Sequence, residues 1–418
     1  MTHGLRAGSS LDAAQFRDFR RRAIFECGKW DPRVGDTEVL APFPVILKRS
    51  VWKQLAAWAE ALALEVLTAE EMILRSALPR RLGSFLTRTG FTRLAHPQLR
   101  DFISWGGNDL DWDPLSAPCR VVRFDFHPTT GGGWCISEAN TDVPGGYLEA
   151  SAVSALMQEH HHNYALPGDP AGALAEMMAA SGGTSCVALV HATAYTDDRQ
   201  VMEYLARRLR SKDVQAHPVS PAHVEWSPRP HLNGDGPRAE VSHLFRFYPA
   251  EWLFGLPRKM QPKRYAHPAG VPQTNPATAL LTQVKSFPLL WEALSCDMST
   301  WRALLPETQP LHKVPRHELG EDWLLKPCYG RVGDGIVMRG VTQEKEARKA
   351  LFWARLFPQN WVAQRRFEAA TFEHDGQPWW PCLGVYTVAG RAAGCYLRLA
   401  TKPLVDAEAR DAALLIED

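Results

Sequence analysis

The sequence predicts a mixed α/β protein assembled from several parts. Three observations lead there. Apolar residues recur at helical spacing in residues 12–26 and 50–76. A continuous apolar run, an amphipathic segment and a second apolar run follow one another between residues 184 and 220. Two glycine-rich turns, near residues 131 and 333, are each flanked by strand-like segments.

Taken in order, residues 12–26 and 50–76 read as helices, so residues 1–115 are expected to form a mostly helical N-terminal region. Residues 116–182 hold the first hairpin, followed by helical spacing from Gly146 to about Ala180. In residues 183–260, "TSCVALVHAT" has the pattern of a buried strand, "DDRQVMEYLARRLRSKD" of an amphipathic helix and "VQAHPVSP" of a second strand. Together they make a βαβ unit in a small parallel sheet. Residues 227–240 read as a loop or hairpin tip. Residues 261–278 are Pro-rich and read as a link between two lobes. The last part, 261–418, continues with a helix (279–296), two strands around a glycine-rich loop (322–340), a helix (342–356) and further strands.

Composition narrows the class. At 418 residues the chain exceeds one ordinary hydrophobic core. Apolar content of 45% and charged content of 22% are those of a globular protein, and a net charge of +1 gives no reason to expect a nucleic-acid or membrane surface. No apolar run reaches transmembrane length and the N-terminus lacks a secretory core. Eight cysteines without a CxxC pair read as reduced thiols, so a cytoplasmic protein is expected.

The first hairpin carries chemistry. In "RFDFHPTTGGGWCISEANTDVPGG", residues 123–146, alternation puts Arg123, Asp125 and His127 on one face. Trp134, Ile136, Glu138 and Asn140 should share a face of the second strand. A symmetric register sets Arg123 opposite Asn140 and Asp125 opposite Glu138. Two facing carboxylates repel unless a cation lies between them. Two carboxylates and an amide are oxygen ligands suited to Mg²⁺, and Arg123 beside them suits a phosphate. A solvated hairpin with a surface ion pair is the plain alternative.

The second glycine-rich segment, "LLKPCYGRVGDGIVM" (324–338), lacks the GKS or GKT of a P-loop and no helix follows it directly. It reads as a flap between two strands, able to lay backbone N–H groups over phosphates with Lys326 reaching in.

These two elements, in this order, resemble the glutathionylspermidine synthase family of circularly permuted ATP-grasp ligases. Its R-x-D strand is matched by Arg123-Phe-Asp125, and its E-x-N strand with a following D-x-P by Glu138-Ala-Asn140-Thr-Asp142-Val-Pro144. "LFRFYPAEWL" (244–253), "TQVKSFPLLWEAL" (282–294), "LLKPCYGRVGDGI", "VAQRRFE" (362–368) and "GVYTVAGRAAGCYLRLATKPLV" (384–405) resemble later family segments in the family's order. The resemblance spans roughly residues 20–410. It implies an ATP-grasp fold, ATP with two Mg²⁺ ions, and ligation of a small-molecule or peptide acid to an amine through an acyl phosphate. Carried over by position, Asp125, Glu138 and Asn140 are metal ligands, and Arg123 contacts the transferred phosphate or the acid. Lys285 and Lys326 hold the α- and β-phosphates. Gly330, Arg331, Gly333 and Gly335 form the flap, and Gln364 lies near the adenine. Arg398 stabilises charge during phosphoryl transfer.

The chain departs from the pattern where Gly145-Gly146 replaces a hydroxyl pair after D-x-P, and where Gly335 replaces an Asn in the flap. On this length the amidase domain of the bifunctional enzymes is not expected. An ATP-binding scaffold without turnover, and a kinase acting on a hydroxyl, are the rival readings. "EHHHN" (159–163) reads as a solvated helix end, Asp197 and Asp198 as N-cap and first-turn charges, and Asp101–Asp113 as a surface loop or part of a substrate cleft.

Overall fold

The computed structural model describes residues 3–76, 120–182, 186–227, 229–233, 239–266, 271–330 and 333–418. The expected cleft segment Asp101–Asp113, together with Cys119 and Arg331, lies outside them.

The N-terminal helix Ala13–Arg22 opens on a capping box. Asp12 accepts from the Gln15 backbone while the Gln15 side chain accepts from Asp12 N–H. The helix then widens into a π-turn, Ala23–Cys27, which stops at Gly28 with a left-handed φ of 91°. The long helix Arg49–Ser76 matches its sequence pattern. The region is less purely helical than expected. Leu5–Ala7 and Val45–Lys48 pair antiparallel, and the C-terminal strand Leu414–Glu417 adds to Val45–Lys48 in parallel. The chain's last residues thus close the sheet that its first residues begin.

The βαβ unit is present as expected. Cys186–Val190 and Gln215–Val219 pair in parallel around the helix Thr196–Arg210. Ala239–Arg246 joins the other side of Cys186–Val190 in parallel, and Gln273–Thr274 follows it. The Pro-rich stretch is therefore partly folded into a sheet. Asn275 explains why: buried, its amide bonds Val121 N–H, Val121 O, Thr141 O and Asp142 O, tying this stretch to the first hairpin.

The central sheet is antiparallel, in the order Arg410–Ala412, Arg391–Ala400, Gln377–Val388, Val121–Pro128, Trp134–Asn140. The first hairpin is thus completed by strands some 250 residues later in sequence. A second antiparallel sheet, Thr308–Pro310, Trp361–Arg365 and Trp323–Pro327, packs Leu325 and Val337 on Ala350 and Ala354 of the helix Glu344–Leu356. The flap's second strand shrinks to one bridge between Leu325 and Val337.

The expected helix 279–296 is broken into Leu280–Gln283 and the 3₁₀ segment Phe287–Ala293. Pro288, in the first turn of the second piece, cannot donate back into a continuous helix. Lys285 sits in the break. The His tract is not wholly solvated: His161 is buried, bonding Met157 O and Ser9. Asp197 and Asp198 both lie in the first turn of Thr196–Arg210, and Tyr195 takes the N-cap position. The described cysteines are all free. Among the described residues no helix is long and apolar enough to cross a membrane.

Candidate active site

Strand pairing gathers one face of the site. Arg123 pairs with Asn140 on one side and Tyr386 on the other, as the hairpin register predicts for Asn140. Asp125 pairs with Gly384, Gly384 with Tyr396, and Cys382 with Arg398. Partners across a sheet point to the same face, so Arg123, Asp125, Asn140, Tyr396 and Arg398 rise from one surface.

Asp125 and Glu138 are not directly opposite. Phe124 pairs with Ala139 but Phe126 with Ile136, so Ser137 and Glu138 together face Asp125 across a β-bulge. The extra residue reverses the alternation. Ile136 turns into the core beside Phe126, both fully buried, instead of sharing a face with Glu138. Glu138 and Asn140 keep the Arg123 face.

Each carboxylate already has a cation. Arg123 Nε and Nη2 donate to the two Asp125 oxygens at 2.7 and 2.9 Å, and Asn140 Nδ2 donates to Asp125 Oδ2 at 3.2 Å. Arg123 Nη1 donates to Gly145 O at 2.7 Å, and its guanidinium lies over the Tyr396 ring at 5.4 Å. Lys285 Nζ lies 3.0 Å from Glu138 Oε2 and donates to Gly330 O at 2.7 Å. The helix break therefore lets one ammonium link the hairpin to the flap. Burial alone raises the Glu138 carboxyl, but Lys285, Lys326 and Arg123 outweigh it and hold it down at about 2.

Lys326, 3% exposed, donates to Gln364 Oε1 at 2.6 Å and Ser137 O at 3.2 Å. Gln364 donates on to Thr308 Oγ1 at 3.2 Å. Burial lowers Lys326 to about 8, with Glu138 opposing and Lys285 assisting the shift. A cavity of about 870 Å³ reaches this cluster at Thr308, lined further by Trp291, Arg302 and Leu311. Arg398 donates to Asp406 O, and its buried Nε–H has no partner among the described residues. Burial raises the Cys382 thiol, with Asp125 and Glu138 adding to the shift and Arg123 and Arg398 opposing it.

Gly333 and Gly335 have left-handed φ values of 73° and 70°, and a Cβ on Gly333 would lie 2.6 Å from Val405 O. The flap thus rests beside the 401–409 connection that holds Arg398. The structure brings the site residues together as three bonded groups, Arg123–Asp125–Asn140, Glu138–Lys285–Gly330 and Lys326–Gln364, with Arg398 on the same sheet face as the first.

Two residues escaped the sequence reading. Gly384 is needed for space: a Cβ there would stand 2.7 Å from Arg123 Cδ and 3.1 Å from Asp125 Oδ1. A lone glycine inside the apolar strand "PCLGVYTV" was the available signal. Tyr396 is the platform under Arg123, and its hydroxyl donates to Asp411 Oδ1 at 2.6 Å. Asp411 in turn lies 3.0 Å from the buried Lys29 ammonium. Gly146 has φ 94°, and a Cβ would meet the Tyr396 ring at 2.4 Å. Glycine at 146 is therefore forced by its neighbour, whereas Gly145 meets Phe247 only at an ordinary 3.7 Å.

The donor set passes a test for a hard cation. Two ionised carboxylates offer about eight lone-pair sites, and four hydrogen bonds or ion contacts use them here. Oxygen acceptors remain, and Asn140 adds a carbonyl. Among the described residues no cluster of three His, Cys, Asp or Glu side chains exists, so any cation site depends on the amide.

The fold and this face define a class, and the comparisons agree with it. The family model for the glutathionylspermidine synthase pre-ATP-grasp domain matches residues 116–417. The chain belongs to that family, an ATP-grasp-like ligase family. Among solved structures, a glutathione synthetase-like effector from Globodera pallida, in its apo form, is similar over 96% of both chains at 12% identity, with a TM-score of 0.62. That likeness shows the ATP-grasp-type fold. No curated protein matches the chain.

Proposed function

We propose that the chain is an ATP-dependent carboxylate–amine ligase, joining an acid to an amine through an acyl phosphate. One observation carries the reading. Four cationic side chains, Arg123, Lys285, Lys326 and Arg398, converge with only two carboxylates, Asp125 and Glu138, leaving two positive charges in excess on a largely buried face. A polyphosphate is the ligand class such a surplus suits.

In the proposed reaction a substrate carboxylate oxygen attacks the γ-phosphorus, the bond to the β–γ bridging oxygen breaks, and ADP leaves. The amine then attacks the acyl carbon, the carbon–oxygen bond to phosphate breaks, and an amide and inorganic phosphate result, with one amine proton passing to solvent. Lys285 and Lys326 bind the phosphates, and the flap glycines bring backbone N–H groups to them. Arg123, fixed by Asp125, Gly145 O and Tyr396, orients the acid or the moving phosphoryl group. Arg398 meets charge that grows during transfer. Asp125, Glu138 and Asn140 are the residues that would hold Mg²⁺, which when bound neutralises phosphate charge. Gln364 and Thr308 are assigned to the side of the base.

The test is ADP and phosphate release against panels of acids and amines, with hydroxylamine added in place of the amine. An acyl phosphate gives a hydroxamate. A phosphorylated product stable to hydroxylamine would make the protein a kinase. ATP binding with no turnover on any pair would make it a scaffold.

A further inference from the structure

Two π-turns, Ala23–Cys27 and Glu149–Val153, pack against each other. The conformation is rare and is concentrated at functional sites. The first turn ends at Gly28, and Lys29 N–H donates back to Ala23 O at 2.9 Å, which fixes the Lys29 backbone at the helix end. The second follows the Gly145-Gly146 loop, and its Ala150 N–H donates to Gly146 O at 3.0 Å. Lys29 Nζ joins the two turns by donating to Glu149 Oε1, and it lies 3.0 Å from Asp411 Oδ2. Lys29, Glu149 and Asp411 are all buried.

Both partners of Lys29 lead to Arg123. Asp411 accepts from the Tyr396 hydroxyl at 2.6 Å, and the Arg123 guanidinium lies 5.4 Å from the centre of the Tyr396 ring. Glu149 opens the turn that follows the Gly145-Gly146 loop, and Gly145 O accepts from Arg123 Nη1 at 2.7 Å. Loop and ring also meet, since Gly146 leaves no room for a Cβ against Tyr396. One ammonium thus ties together two elements that hold Arg123. Such a triad is a weak source of stability, because buried charged groups lose their hydration and apolar side chains of similar volume serve as well. Glu149 Oε2, buried without a hydrogen-bond partner among the described residues, adds to that cost. What directional charged contacts supply is a fixed position. We infer that Lys29 is a positioning residue for Arg123, acting through Asp411 and Tyr396 on one side and through Glu149 and the Gly145-Gly146 loop on the other. Its effect on turnover rests on the ligase reading, whereas the placement of Arg123 does not.

The test is NMR of the full chain labelled with ¹⁵N-arginine, reading exchange of the Arg123 Nε–H with water. That signal is assigned as the one missing from Arg123→Lys. The parent should show it protected, because Nε donates to Asp125 Oδ1 at 2.7 Å from a buried side chain. Lys29→Met and Tyr396→Phe should each shift the signal and remove its protection. Where Lys29→Met does not fold, Tyr396→Phe decides, since it keeps the ring and removes only the hydroxyl. Leu205→Ala, at a fully buried position in the helix Thr196–Arg210, is the control for lost stability and should leave the signal protected. Under the ligase reading, Tyr396→Phe should also raise KM for the acid more than KM for ATP and lower kcat/KM for the acid by up to about 10²-fold. An unchanged signal in Tyr396→Phe, or an equal loss of protection in Leu205→Ala, would overturn the inference. Loss of protection with turnover unchanged would uphold the placement and remove Arg123 from the reaction, against the proposed function.

Discussion

Gly384→Ala probes the active face without removing any group that touches substrate. Its Cβ would stand 2.7 Å from Arg123 Cδ and 2.9 Å from Nε. Non-bonded carbons settle at about 3.5–4.0 Å, so the Arg123 side chain must move by roughly 1 Å. It cannot do so and keep its bonds to both Asp125 oxygens and Gly145 O. Overpacking of this kind costs about 1–3 kcal/mol of stability, and a 1 Å misplacement of a positioning group costs about 10²-fold in rate. Gly131→Ala is the control: it lies in the turn of the same hairpin, with nothing within 4 Å of the added methyl. The assays are urea denaturation and product formation on both variants. The reasoning predicts a folded Gly384→Ala protein with turnover down about 10²-fold and a near-normal Gly131→Ala protein. Normal turnover and unchanged stability in Gly384→Ala would refute the placement of Arg123 at the reaction.

Further expectations follow from the same contacts. Asp125→Asn should cost about 3 kcal/mol, because it leaves the buried Arg123 guanidinium without its carboxylate; denaturation curves superimposing on the parent's would contradict the pair. ATP affinity should fall as pH rises above about 8, where Lys326 loses its proton in the free protein. A polyphosphate beside it raises that pKa, so binding takes up a proton; titration in buffers of different ionisation heat should show the uptake, and Lys326→Arg should abolish it. Arg398→Ala should retain near-normal ATP affinity and lose about 10³-fold in turnover, and a parallel loss of both would assign it to binding. Backbone amides at Gly330, Gly333 and Gly335 should exchange quickly without nucleotide and become protected with a non-hydrolysable ATP analogue; equal protection in both states would argue against a closing flap.

What was legible in the sequence was what local pattern controls. The helices Ala13–Arg22 and Arg49–Ser76, the βαβ unit and the pairing of Arg123 with Asn140 follow from spacing and turn chemistry. The bulge at Ser137–Glu138 was not, because one extra residue leaves no mark on composition yet reverses the face of Ile136. The Pro-rich stretch looked like a linker because the bonds that bury Asn275 come from residues 121, 141 and 142. The electrostatic state of the site was also hidden. The hairpin suggested two carboxylates needing a cation between them, whereas Arg123 and Lys285 supply one to each. Lys285 comes from a helix break and Gly384 from a strand far along the chain, so neither was visible from the hairpin.

The central claim is that a substrate carboxylate is activated as an acyl phosphate on the Arg123–Arg398 face. The most direct measurement uses the acid that supports ADP release, labelled with ¹⁸O in its carboxylate, followed by mass spectrometry of the phosphate formed. The account predicts one ¹⁸O atom in each inorganic phosphate, because the oxygen that attacks the γ-phosphorus departs with it when the amine enters. Unlabelled phosphate formed together with the amide would contradict the account.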